Sequence, residues 1–141
     1  MDAGRDSLTI PSRPESIDDA RRWVAARARA AGLADGSIGE LELALTEALA
    51  NVIEHGYEGD PSREIVLEVE VARDALAVHV RDWGRAVGPA GYAARDLDDP
   101  GEGGYGVFLM DQLMDGVTRQ PQPGGGTLLT LVKRRTGGHD G

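Results

Sequence analysis

Cysteine is absent from the chain, which excludes a disulfide framework and a thiolate metal site, and the three histidines are scattered without a zinc-binding spacing. Long apolar runs are missing too. No stretch approaches the ~20 residues of a membrane span, and the N-terminal MDAGRDSLTI lacks the apolar centre of a signal peptide, so the expectation is a cytoplasmic protein without membrane contact. Positive charge is scarce. With 24 acidic against 15 basic residues the net charge is −9, which disfavours direct nucleic-acid binding and suits a partner with a basic surface. A length of 141 residues at 40% hydrophobic content allows one domain with a real core, expected over residues 7–135 with a polar tail at 136–141, and leaves no room for two.

What is present centres on residues 40–57, ELELALTEALANVIEHGY. At ~100° per residue, Ile38, Leu41, Leu45, Ala48, Leu49 and Val52 share one face, which predicts a helix packed on a core. Glu40, Ala44, Glu47, Asn51 and Glu54 form a second stripe, so Glu47 and Asn51, four residues apart, present a carboxylate and an amide side by side. Asparagine is a poor helix-interior residue because its side chain competes for backbone hydrogen bonds. Taken alone, the stripe is either a solvated face or a chemical one. Ser37 with Glu40 predicts a capping box and Gly56 a stop.

Around this helix, residues 7–10 read as an edge strand ended by Pro11. Ser12 and Glu15 predict a second capping box, followed by a helix with Ile17, Ala20, Val24 and Ala28 inward. Its Arg21, Arg22, Arg27 and Arg29 form either ordinary helix surface or a contact for an acidic partner. Residues 64–72 and 75–81 alternate and are joined by Arg73 and Asp74, which predicts an antiparallel hairpin with one buried and one wet face. Residues 85–104 lack periodicity and are acidic, as expected of a functional lid or a disordered loop. A short helix at 106–115 and strands at 116–120 and 127–134 complete an α+β order.

The cluster GEGGYG fits G-x-G-x-x-G through Gly101, Gly103 and Gly106, but no strand precedes it directly and it falls late in the chain, so a Rossmann site is excluded; a P-loop motif is absent. Glycines at a helix start either form a turn or expose N–H groups to an anion.

Together, E-A-x-x-N on a helix, D-x-G after a strand and a glycine-rich helix start after a lid resemble the GHKL ATPase superfamily, which includes histidine kinases, gyrase-type ATPases and MutL. TEALANVIEHGY, VRDWG, GGYGVFLMDQLMD and GGGTLLTL look most like its small stand-alone anti-sigma-factor serine/threonine kinases, of the RsbW and SpoIIAB type. The resemblance covers roughly residues 7–135. It implies a two-layer α/β sandwich, a mixed and mainly antiparallel sheet with helices on one face, and use of ATP and Mg²⁺. The implied roles are Glu47 as general base, Asn51 as Mg²⁺ ligand, Asp82 as acceptor for the adenine amino group and Gly84 as room for the ring. Gly104 and Gly106 match the phosphate box, and Thr127 the hydroxyl near adenine. Ala86 departs from the family pattern, standing where a second glycine is usual. The implied partners are a STAS-domain anti-anti-sigma protein, a sigma factor and a second copy of the chain. The alternative is a nucleotide-gated partner-binding module with little or no kinase activity.

Overall fold

Alternation of apolar and polar residues dictates the sheet. In the computed structural model, which describes residues 4–85 and 109–135, strands β1 (Gly4–Pro11), β2 (Glu64–Val71), β3 (Ala75–Asp82), β4 (Gly116–Pro121) and β5 (Thr127–Arg134) form one sheet in the order β1-β2-β3-β5-β4. Every pairing among them is antiparallel. Helices α1 (Ser16–Ala30) and α2 (Asp35–Asn51) separate β1 from β2, and residues 109–113 are helical. The architecture is the expected α+β sandwich. No helix among the described residues is long and apolar enough to cross a membrane.

Because side chains alternate across a strand, one sheet face collects Ile65, Leu67 and Val69 of β2, Leu76, Val78 and Val80 of β3, and Leu129 and Leu131 of β5, all buried. Ala20, Val24 and Ala28 of α1 and Ile38, Leu41, Leu45 and Leu49 of α2 join them in one core. Two polar residues occupy core positions at opposite ends of this face. Asp82 follows Val80 at one end and Lys133 follows Leu131 at the other, 5% and 8% exposed. The outer face is polar: Glu70 accepts hydrogen bonds from His79 and Arg5, each on a neighbouring strand.

Neither expected capping box forms. Glu15 and Ala34 are the N-caps of α1 and α2, and no side chain bonds to the helix start in either case. Ser12 is buried at the end of β1, its N–H donating to the Arg63 carbonyl, so it belongs to the sheet edge. Ser37 lies inside a helix that has already begun, since the Ile38 N–H bonds to the Ala34 carbonyl. On α1, Arg21 pairs with Asp18, Arg22 with Asp19 at 3.0 Å, and Arg27 lies 4.3 Å from the Trp23 ring and 3.4 Å from Asp6. Three of the four arginines are thus met by neighbours, which favours ordinary helix surface over a free basic face.

The second stripe of α2 is only partly solvated. Glu40 and Glu54 are exposed and Glu47 half-buried, whereas Ala44 is fully buried and Asn51 nearly so, the latter lining a pocket with Met110, Thr127 and Leu129; Leu43 is also exposed. The regular α-helix also ends earlier than the expected 57. From Val52 to Gly56 the coil widens into a π-turn, closed by the Tyr57 N–H on the Val52 carbonyl at 2.8 Å.

Candidate functional site

The π-turn delivers α2 to the end of β3. Asn51 is the last α-helical residue, Asp82 the last of β3 and Thr127 the first of β5, and Asp82 and Thr127 are partners in the strand register. With Ala48, Val52, Met110, Arg119 and Leu129 these three residues line one pocket. Its walls are mostly apolar, with an amide, a carboxylate, a hydroxyl and a guanidinium as the polar groups, a composition suited to a small organic ligand.

The carboxylate is held for use. Asp82 Oδ1 accepts the Gly84 N–H at 2.9 Å, which fixes the side chain and leaves the second oxygen as an acceptor. Burial raises the carboxyl above its ordinary range, opposed by the Gly84 bond and by the positive charge of Arg63. Its main chain is held too, by Gln122 Nε2 donating to the Asp82 carbonyl at 2.6 Å.

Close backbone packing surrounds this acid. A Cβ on Gly84 would lie 2.3 Å from the Gly56 carbonyl oxygen, so the segment after β3 rests directly on the π-turn, where the Arg85 N–H also donates to that oxygen at 2.6 Å. Gly126 has φ of +89°, and a Cβ there would lie 2.0 Å from the Asp82 carbonyl oxygen. The Tyr57 hydroxyl donates to the Glu64 carbonyl at 2.5 Å and accepts the Trp83 N–H at 2.9 Å; Arg63 covers the ring at 4.5 Å and donates to the Trp83 carbonyl. Burial raises the tyrosine hydroxyl, against the opposing Trp83 bond.

Of the residues expected from sequence, Asn51, Asp82 and Thr127 meet in the pocket, whereas Gly84 packs against Gly56 and Tyr57 outside the pocket lining. Glu47 sits one turn before Asn51, half-buried, outside the pocket lining and without a polar partner among the described residues. His55 lies half-buried in the π-turn. Gly104, Gly106, Ala86 and the expected lid at 87–103 lie outside the described residues. Sequence reasoning missed Tyr57, Arg63, Arg119 and Gln122. Only Gln122 left a signal, its place in the PQPGGGT turn.

Among the described residues no three His, Asp or Glu side chains gather as metal ligands. A divalent ion at the Asn51 amide would take one neutral oxygen from the described pocket and the rest from a ligand and water, a donor set that suits Mg²⁺ on phosphates. The second Asp82 oxygen is an acceptor of the kind a nucleobase amino group needs.

Residues 10–133 match the model of the histidine kinase-like ATPase domain. The chain is 31% identical over 120 residues to the serine-protein kinase RsbW of Listeria innocua serovar 6a, covering 79% of this chain and 76% of that one. It is 30% identical over 126 residues to the serine-protein kinase RsbW of Bacillus subtilis strain 168, covering 83% and 78%. With the same-named protein of Bacillus licheniformis it shares 29% over 143 residues, covering 95% and 89%.

Proposed function

Because this chain belongs to the histidine kinase-like ATPase domain family and is of the RsbW type, we propose that it is an ATP- and Mg²⁺-dependent protein serine/threonine kinase. Its substrate is a STAS-type anti-anti-sigma protein, and it sequesters a sigma factor when that substrate is phosphorylated. The observation that carries this reading is the pocket shared by Asn51, Asp82 and Thr127 on three separate elements. Bound ATP with Mg²⁺ supplies the phosphoryl group and neutralises the charge on it.

The chain's own residues do the rest. Asp82 accepts the adenine amino hydrogen with the oxygen that Gly84 leaves available, and Thr127, its register partner, contacts the same ring. The Asn51 amide oxygen holds the metal, and Gly104 and Gly106 bind phosphate oxygens through backbone N–H groups. Glu47 takes the proton from the attacking serine hydroxyl; it projects from the same helix as Asn51, about 6 Å along the axis. In-line transfer asks mainly for positioning, which a rigid sheet end and a helix end provide. The protein works in the cytoplasm as a homodimer, with β1 and the arginine-bearing α1 near the shared surface; a monomeric mass by light scattering at micromolar concentration contradicts the dimer.

One observation favours a second reading. Glu47 does not line the pocket, as expected of a nucleotide-gated binding module whose base is unused. Glu47→Gln decides between them: a general base contributes typically 10²–10⁴ in rate, so phosphate transfer to a STAS partner falls at least ~100-fold while ATP affinity changes less than ~10-fold. A wild type that transfers nothing, yet changes partner affinity with ATP, establishes the binding module.

A further inference from the structure

All but one of the chain's 15 basic residues are arginine; the single lysine is Lys133. It is also among the few buried polar residues, at a position of β5 that the alternation assigns to the core. A lone ammonium at such a place needs partners, and it has two. Its Nζ lies 2.6 Å from Glu40 Oε1 on α2 and donates to the Leu113 carbonyl at the end of the helical residues 109–113. That carbonyl is one of the last of its helix, where no intrahelical donor remains and a cation is favoured by the helix dipole.

The three elements joined at Lys133 are those that line most of the nucleotide pocket: α2 brings Ala48 and Asn51, β5 brings Thr127 and Leu129, and residues 109–113 bring Met110. Thr127 is six residues from Lys133 along β5, about 20 Å, so the junction lies at the far end of the core from the acid that holds the base. Two backbone-anchored contacts brace the same corner: the Asp115 N–H donates to the Val132 carbonyl at 2.9 Å and Asp115 Oδ2 accepts the Arg134 N–H at 2.7 Å.

We infer that Lys133 and Glu40 form a clasp that sets the spacing between α2 and the helical residues 109–113, and so positions Asn51 for the phosphate end of the nucleotide without touching it. Glu40 is then committed to the clasp. This rests on the pocket being a nucleotide site, and the experiment separates the two. Asp82 and Thr127 are register partners on adjacent strands and stay aligned when the clasp opens, whereas Asn51 lies on a clasped helix.

The test is calorimetric titration of wild type, Glu40→Gln, Lys133→Met and the double variant with adenosine and with ATP plus Mg²⁺. The wild type binding neither ligand defeats the nucleotide reading itself. With that reading intact, both single variants weaken ATP–Mg²⁺ about tenfold, within the roughly 2- to 150-fold range of coupled neighbours, and leave adenosine within about twofold. The double variant matches the single ones, because each breaks the same clasp. Equal losses for adenosine and ATP in every variant would mean general loosening and overturn the inference, as would unchanged ATP affinity in Glu40→Gln. If Lys133→Met does not fold, Glu40→Gln, at a half-exposed side chain, decides alone by the same ATP-to-adenosine split.

Discussion

Replacing Asp82 by asparagine separates what the acid costs the fold from what it gives the ligand. Asp82 is 5% exposed, with one oxygen on the Gly84 N–H and its carboxyl raised by burial above the ordinary 3.8. A carboxyl whose folded-state pKa is raised binds more protons in the folded than in the unfolded state, so stability falls as pH rises from about 3.8 through the folded value. Above that window the penalty is fully present. Asparagine keeps the shape and the bond to Gly84 but removes the charge, so at pH 7 the variant melts higher, by about 2–5 °C for each kcal/mol recovered in a domain of this size. Its advantage shrinks toward zero as the pH approaches 4.

Binding moves the other way. The substituted amide turns donor hydrogens toward a base whose amino group is also a donor, and loss of a charge-assisted bond of ~1.5–3 kcal/mol weakens ATP about 10- to 150-fold. Thermal melts between pH 4 and 8, with and without ATP, read both effects: ATP raises the wild-type melting temperature strongly and the variant's little. A variant that melts lower at neutral pH, or whose difference from wild type is flat with pH, refutes the account of Asp82 as a strained buried acid. Undiminished ATP affinity refutes its role toward the base.

Asn51→Ala removes the proposed metal ligand: the gain in ATP affinity on adding Mg²⁺ disappears in calorimetry, while adenosine binds as before. Gly126→Ala destabilises by at least ~2 kcal/mol in urea unfolding, since it places a carbon 2.0 Å from the Asp82 carbonyl oxygen in a left-handed conformation. Gly124→Ala, two residues away with φ of +86° and nothing within 4 Å, carries only the conformational part, about 1–2 kcal/mol. Equal costs at the two glycines contradict the close approach at Gly126.

Four strands were legible because alternation is a local property: the spans 64–72, 75–81, 116–120 and 127–134 differ from the observed strands by a residue or less at each end, whereas β1 begins at Gly4, three residues before the expected 7–10. The helix starts were less so. Ser37 and Glu40 have capping-box spacing, yet the N-cap is Ala34, three residues earlier, and Glu40 turns to Lys133, a partner 93 residues away that no local pattern contains. The π-turn is equally hidden, since Val52 to Gly56 continues the apolar and polar spacing of the helix, and it is in the fold that Gly84 packs on Gly56 at its end.

The candidate site shows the same division. Asn51 stands out because it breaks a rule of its element, an amide inside a helix, whereas Asp82 lies just past the expected strand 75–81 and is marked in the sequence only by the resemblance of D-x-G; the structure extends β3 to it and shows a carboxylate at a core position. Tyr57, Arg63 and Gln122 break no rule. They act through the main chain, donating to or accepting from the peptide groups of Trp83 and Asp82, so their identity is constrained by geometry that only the folded sheet supplies. Lys133 breaks the strand rule as plainly as Asp82, at the opposite end of the same face. The two differ in what answers the violation. Both partners of Lys133 are protein groups, whereas among the described residues Asp82 has one oxygen on the Gly84 N–H, and the proposed function gives the other to the adenine amino group.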